Sequence, residues 1–415
     1  MSDAFPIVPN DSYSNTYNSN VRLDQTFPDL QTTMGNYIAN INITEVSGLQ
    51  RFAVGYRPIH GYLAITVCVF GVLANVLNIV VLTQKNMQTS TNVILTGLAI
   101  SDALTMAAYF PYVLVMYVIH GTDINPERDT YSAAAFQMSY AIFSVVVHSI
   151  SIWLTVTLAV FRYVFIRFPR RGARYCNIEK AKLAVIIVVI VVTIVCIPNS
   201  VSYRISHHTD KFRDEDGVIY NGTVYYVKPK QETEFEETFT NLNFWIQALL
   251  IKLLPCFLLT IFSILLISTM RDAERRRKKL LNNLPVSDAE SGATSSGGGN
   301  SRKHKKSRSN RTTKMLLTVV ILFLITETPQ GVLSVLSSLI DGFFDKVYTP
   351  LGDLLDIMAL INNGINFVLY CTMSKQFRDT FIKIFVTKVL RQEYNRNKTT
   401  YVTTQATQAT RDSDV

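Results

Sequence analysis

Charge is scarce in this chain of 415 residues: 17% are Asp, Glu, Lys or Arg, where an ordinary soluble domain carries roughly a quarter. The scarcity is uneven. Charges vanish from long stretches and gather in short ones, a pattern that argues against a soluble fold and for a polytopic membrane protein. Cysteine is scarce too. The five are Cys68, Cys176, Cys196, Cys256 and Cys371. None falls in the long segments assigned below to the exterior, so no disulfide is expected there. Residues 1–20 are polar and lack the apolar core of a secretory signal. The first apolar run is therefore expected to act as an uncleaved signal anchor. Enzyme signatures are also missing: no His/Cys metal spacing, no Gly-rich phosphate loop, no nucleophile elbow. An enzyme is not expected.

What the chain does contain is seven apolar runs, near 59–84, 91–119, 131–165, 178–203, 241–270, 312–340 and 347–372. Each reaches the roughly 20 residues that cross a bilayer as a helix. Each also carries Ser, Thr, Asn, Tyr or charge, which predicts packing in a bundle. The expected fold class is an all-α membrane protein, a seven-transmembrane helix bundle. The net charge of +9 is concentrated in Arg162–Lys182 and Arg271–Lys314. The second segment holds 13 basic against 4 acidic residues, whereas Arg204–Thr240 holds 5 against 8. Basic loops lie on the cytoplasmic side. That puts the N-terminus outside and the C-terminus inside a plasma-membrane protein. No folded basic surface is apparent, so nucleic acid is not an expected partner.

Four parts follow along the chain. Residues 1–57 read as a flexible extracellular segment, rich in Asn, Ser, Thr and Tyr. Sequons place candidate glycosylation at Asn10, Asn42 and Asn221, all on the expected outer side. Residues 58–373 form the seven-helix domain, with a disordered basic intracellular loop at about 271–311. Its Ser/Gly-rich stretch is either a solvated linker or a partner-docking loop. Residues 374–390 place Phe377, Phe381, Ile384 and Phe385 at helical spacing between basic residues. This predicts an amphipathic helix on membrane lipid, capped by Ser374. Residues 391–415 read as a disordered cytoplasmic tail.

Polar stripes run through the apolar helices. His148, Ser151, Thr155, Leu158 and Arg162 share one face of the third. Asn92, Leu95, Ala99 and Asp102 do so in the second, and Asp356, Asn363, Asn366 and Tyr370 in the seventh. Hydrogen-bonded helix packing accounts for the Asn and Ser. It accounts poorly for Asp102, Asp356, Glu327 and Lys252, because a charge at mid-membrane costs about 2.5–3.5 kcal/mol on the lenient scale.

These residues resemble a known family. Gly71-Val72-Leu73-Ala74-Asn75, Leu98-Ala99-Ile100-Ser101-Asp102, Phe161-Arg162-Tyr163, Pro255, Phe323 with Pro329, and Asn366-Phe367-Val368-Leu369-Tyr370 occur in the order of rhodopsin-like (class A) G-protein-coupled receptors, over about residues 59–388. Within that class, Thr326–Gly331 and Ser149–Thr155 are similar to invertebrate FMRFamide and myosuppressin receptors. The resemblance implies an extracellular amidated neuropeptide as ligand, a heterotrimeric G protein as partner (Gi/o in this subgroup) and arrestin at the phosphorylated tail. The terminal Ser413-Asp414-Val415 resembles a PDZ-domain ligand. A retinal pump needs a lysine in the seventh helix, and 347–372 has none. An amine receptor needs an acid where Ser144 stands. A transporter or channel is the remaining alternative, without the internal repeat expected of one.

The resemblance also implies sites. Asp102, Ser151, Asn362 and Asn366 match residues that hold an allosteric sodium ion in related receptors; a water-filled hydrogen-bond network is the other reading. No other cofactor is expected. Arg162, Tyr163, Tyr370, Phe323 and Pro329 match the machinery of activation and G-protein coupling. His148, Lys252 and Glu327 are expected to cluster, either as a static lock or as a trigger below the ligand. Asp353 and Asp356 are candidates for a ligand guanidinium, ideally in a forked contact. Tyr109 and Tyr112 either line an apolar slot for the ligand or simply pack in the core. Three departures stand out. The disulfide that pins the loop before the fifth helix has no cysteines here, so that loop is held by packing or left mobile. Glu327 stands where the family usually has Trp. Phe161 replaces the acid before Arg162, removing an intrahelical ion pair that restrains the inactive state. Phe161→Asp is therefore expected to lower unliganded signalling; equal basal activity in the two forms defeats the idea.

Overall fold

The computed structural model describes residues 48–121, 124–213, 218–230, 232–282, 298–340 and 343–387. Asn10, Asn42, the acidic residues at 214–216, most of the Ser/Gly-rich stretch and the tail with its phosphorylation and PDZ positions lie outside the described residues. Among those described, seven helices are long and apolar enough to cross a membrane.

Helix α1 is Gly48–Leu82, α2 Ser90–Ile119 and α3 Tyr131–Arg167; the short α4, Pro169–Tyr175, precedes α5, Ile178–Val201. A hairpin, β1 Tyr203–Arg213 and β2 Ile219–Pro229, leads into α6. Helix α6 runs through Glu234–Ile246, a π-helical stretch Gln247–Leu253, and Leu254–Asn282. Helix α7 is Gly298–Leu339, α8 Thr349–Met373 and α9 Lys375–Phe381. The crossing helices are α1, α2, α3, α5, α6, α7 and α8. Three helix ends reach into segments read from the sequence as unstructured. Helix α1 begins at Gly48, inside the segment read as a flexible tail. Helices α6 and α7 extend to Asn282 and from Gly298, into the segment read as a disordered loop. Lys and Arg are good helix formers, so the charge that ends a membrane span does not end the helix.

Short polar residues set the starts. Thr89, Thr130, Asn177, Thr233 and Ser374 each accept from a backbone N–H three residues on, satisfying a donor the helix leaves open. Burial then ranks the helices. The apolar window of α3 is 61% buried and that of α5 only 17%, so α3 is the central post and α5 a peripheral, lipid-facing one. Helices α1 and α8 approach closely because Gly71 and Gly364 have no side chains. A Cβ at Gly71 overlaps Met106 and meets the Gly364 Cα at 3.5 Å. Asn75 Nδ2 cross-links the same pair, donating to the carbonyls of Gly71 (3.0 Å) and Asn363 (2.9 Å). Helix α9 docks by its apolar side: Phe377 is buried against Phe367 and Tyr370, and Thr380 accepts from Asn86 Nδ2 at 2.8 Å.

The hairpin is the element sequence reading missed. Tyr203 pairs with Pro229 and Arg213 with Ile219 in antiparallel register. It is fastened without a disulfide. Tyr225 N–H donates to the Asp129 carbonyl at 2.7 Å, and its ring meets Tyr131 edge-on. Arg204 bonds Glu232 at the base, which lowers the Glu232 carboxyl below its usual range. Below the hairpin, Arg128 forks onto both Asp129 oxygens (2.7 and 2.9 Å) and onto the Gly121 carbonyl (2.9 Å). Side-chain exposures of 7% and 12% make this a dry pair. Removing one partner of a buried pair costs about 3–5 kcal/mol. Asp129→Ala is expected to lower the melting temperature and to speed hydrogen exchange across β2. A protein with unchanged melting and exchange refutes the fastening role.

Candidate functional site

Three helices meet at one carboxylate. Glu327 lies two residues before Pro329 on α7 and is 1% exposed. Its Oε2 faces His148 Nε2 of α3 at 3.2 Å and Lys252 Nζ of α6 at 3.3 Å. Lys252 Nζ also donates to Gln330 Oε1 at 2.7 Å. Local chain chemistry delivers each group. The His148 stripe has the 3–4 spacing of one helix face. Lys252 sits in the π-helical stretch, where Leu254 N–H reaches back to the Leu249 carbonyl and Pro255 has no N–H to give. Such stretches re-aim side chains and concentrate at functional sites. In a low dielectric the paired arrangement keeps the charges in place, since an isolated buried ion neutralises. His148 Nδ1 and Glu327 Oε1 remain buried without a partner.

Above the cluster opens a cavity of about 600 Å³ lined by residues of α3, α5, α6, α7 and the hairpin base. His148, Lys252 and Gln330 line it, with Asn199, Gln247 and Tyr203 on the wall. Gln330 falls inside the motif Thr326–Gly331, but nothing in the sequence marked it as the partner of Lys252. Tyr203 and Pro229 enter through the hairpin, for which the available signal was Asp216-Gly217 between two stretches that carry β-branched and aromatic residues.

The other candidates divide between two further places. Asp353 is 6% exposed. Its Oδ1 accepts from Tyr117 of α2 at 2.8 Å and its Oδ2 lies 3.8 Å from Arg57 Nε of α1. It therefore faces α1 and α2, not the large cavity. Asp356, one turn on, is 3% exposed. Tyr109 and Tyr112 belong to an aromatic cluster and do not form an open slot: Tyr112 stacks on Tyr140 at 4.5 Å, and Tyr109 bonds His60 at 2.9 Å. Asp102 is the third place. Its Oδ1 accepts from Ser151 at 2.6 Å and its Oδ2 from Asn366 Nδ2 at 3.1 Å. Asn362 is half-buried and outside this set; the neighbouring Asn363 is the residue drawn into the α1 contact. Carboxylate and hydroxyl oxygens suit a small hard cation, provided Asn366 turns its carbonyl oxygen inward.

At the far end of α3 no carboxylate among the described residues pairs with Arg162, whose Nε is buried without a partner. Tyr163 packs on Phe262 and Tyr370 on Phe377. Phe323 is 3% exposed in a cluster with Ile152, Val156 and Leu259, so the α7 face below Glu327 is bolted to α3 and α6. Asn221 is exposed on β2. Glu327→Ala strands Lys252 and is expected to cost about 3–5 kcal/mol, whereas Glu327→Gln keeps the shape and costs less. Thermal melting in lipid nanodiscs reads the order; an alanine variant as stable as wild type refutes the ion cluster.

Comparison with known proteins agrees with this architecture. Residues 62–388 match the family described as serpentine type 7TM GPCR chemoreceptor Srw. The G-protein coupled receptor dmsr-1 of Caenorhabditis elegans is 33% identical over 350 residues, covering 80% of this chain and 69% of that protein. The sex peptide receptor of Drosophila melanogaster is 27% identical over 393 residues, 90% and 83% of the two chains. The FMRFamide receptor of the same fly is 23% identical over 348 residues, 80% and 55% of the two chains. With seven membrane-length helices, a family match across most of its length and a relative at that identity, this chain belongs to the serpentine seven-transmembrane G-protein-coupled receptors.

Proposed function

We propose that this receptor answers an extracellular amidated peptide of the Arg-Phe-amide class and signals through Gi/o proteins. One observation carries the reading: a cavity of about 600 Å³ whose floor includes His148, Lys252 and Gln330, directly joined to Glu327 on α7. A ligand that presses on Lys252 or His148 alters the partners of Glu327. Glu327 shares α7 with Phe323 and Pro329, so the disturbance travels along α7 toward Arg162. A peptide fits the rest of the architecture. The hairpin base widens the opening, and Glu234, Glu236 and Glu237 begin α6 beside it, a field that draws in a basic ligand. A relative named for sex peptide supports a peptide ligand, and one named for FMRFamide supports the Arg-Phe-amide class. The outward placement of the N-terminus rests on the basic intracellular loops and the sequons.

The expected result is a dose-dependent Gi/o response, blocked by pertussis toxin, to some member of an Arg-Phe-amide panel applied to cells expressing the chain. Glu327→Gln is expected to shift agonist potency by about tenfold or more, a change of about 1.4 kcal/mol. Silence across the panel ends the ligand assignment. Unchanged potency and efficacy in Glu327→Gln leaves the cluster as a static lock.

A further inference from the structure

The cavity above Glu327 is poor in charge. Among the described residues that line it there is no Asp, Glu or Arg, and Lys252 is the only lysine. Its counter-charge lies behind it: the Lys252 side chain is 17% exposed and that of Glu327 1%, and Glu327 is not among the lining residues. The cavity therefore meets a cation that is already balanced. His148 adds nothing to the balance. An ionised carboxylate only accepts, so the His148 Nε2 that faces Glu327 carries the proton. One carboxylate does not balance two cations in a low dielectric, so with Lys252 charged the ring is neutral and its Nδ1 bare.

Two hydrogen-bonding atoms are left over at this floor. Lys252 Nζ donates to Glu327 Oε2 and to Gln330 Oε1, two of the three N–H bonds an ammonium has. His148 Nδ1, on a ring that lines the cavity, is buried with no partner among the described residues. One spare donor and one spare acceptor, with no net charge, complement a carboxamide: its carbonyl accepts and its N–H donates. A carboxylate has no proton for Nδ1, and its charge finds no free counter-ion. Phe244, Trp245 and Phe344 supply aromatic walls.

We infer that the cavity takes an aromatic residue ending in a carboxamide, and that Glu327, by balancing Lys252 from behind, makes the site reject the corresponding carboxylate. A lysine at the bottom of a cavity looks like a seat for an anion; the buried pair converts it into a donor for a neutral group. Specificity then comes from the cost of an unpaired charge in the wrong ligand. Assigning the carboxamide to the end of a peptide rests on the receptor reading above; the preference of the cavity for neutral over anionic groups does not.

Two arms test it on the full-length receptor in nanodiscs. In the first, a peptide ending in Arg-Phe-amide and the same peptide as its free acid are titrated onto wild type and Glu327→Gln. Wild type is expected to prefer the amide by about a hundredfold, the scale of one buried charge left without a partner. In Glu327→Gln, Lys252 lacks its counter-charge, so the acid is expected to bind more tightly than it does to wild type, and the preference for the amide to vanish or invert. The double variant Lys252→Gln/Glu327→Gln removes both charges together and is expected to reject the acid again, which a merely loosened site does not do. Ser334→Lys adds an unbalanced cation to the cavity wall, leaves Glu327 in place and is also expected to admit the acid; it serves if Glu327→Gln does not fold. Equal binding of amide and acid to wild type overturns the inference, as does an unchanged preference in Glu327→Gln or acceptance of the acid by the double variant. The second arm needs no peptide. N-acetyl-phenylalaninamide at about 10 mM, above the roughly millimolar affinity that ligands of this size reach, is expected to raise the melting temperature of wild type, and N-acetyl-phenylalanine that of Glu327→Gln. The reverse pattern, equal shifts or no shift in either form refutes the seat. A positive second arm with no peptide binding to any form removes the peptide reading and retains the carboxamide seat; a peptide that binds wild type without preferring the amide does the opposite.

Discussion

A carboxylate in a lipid-embedded bundle has to be answered by neighbouring groups, and Glu327 is answered from two other helices at once. That requirement fixes how α3, α6 and α7 stand. His148 must rise on the inner face of α3, and α6 must depart from regular geometry so that Lys252 arrives at the same oxygen. A carboxylate at this position joins its neighbours by charge, where an aromatic ring would join them by shape. The cavity exists because these long polar side chains hold the helices together below it while leaving space above.

The same economy governs the connection between α5 and α6. Without cysteines to tie it down, the segment between α5 and α6 folds on itself as a hairpin and rests on the start of α3. The Arg128–Asp129 pair and the Asp129 carbonyl do the fastening. Hydrogen bonds and burial here replace a covalent bond, and the hairpin base contributes directly to the cavity wall.

Much of this was legible in the chain. Seven apolar runs gave seven crossings, since a bilayer imposes a minimum length that few other structures imitate. The meeting of His148, Lys252 and Glu327 was implied by the family resemblance, which supplied the height of each on its helix; the cost of a lone buried charge only said that each needs partners. The grouping of Asp102 with Ser151 and Asn366 came from the same resemblance. Other features were hidden. The hairpin lacks strict alternation, since six polar residues run from Ser206 to Lys211 and four apolar ones from Val224 to Val227, so its strand signal was weak and only its charge balance was read. Asp353 meets Tyr117 of α2 and Arg57 of α1, neighbours that the sequence reading did not name. Which neighbours a residue meets depends on helix rotation, and Arg57 lay in a stretch read as tail. Tyr109 and Tyr112 looked like a ligand slot because sequence cannot tell a ring facing space from one facing another ring. Asn362 and Asn363 differ by about 100° around α8, one residue step of a helix with 3.6 residues per turn. Only the second falls where α1 draws in its carbonyl.

The glycine contact between α1 and α8 divides the labour of the bundle. Gly71 against Gly364, the Asn75 bridge to Asn363 and the docking of Thr380 on Asn86 weld α1, α2, α8 and α9 into one block. Backbones that touch have no slack for sliding. Motion in response to ligand is thereby left to the opposite wall, where α6 carries its irregular turn and α7 its proline. One side of this receptor is the anvil against which the other side moves.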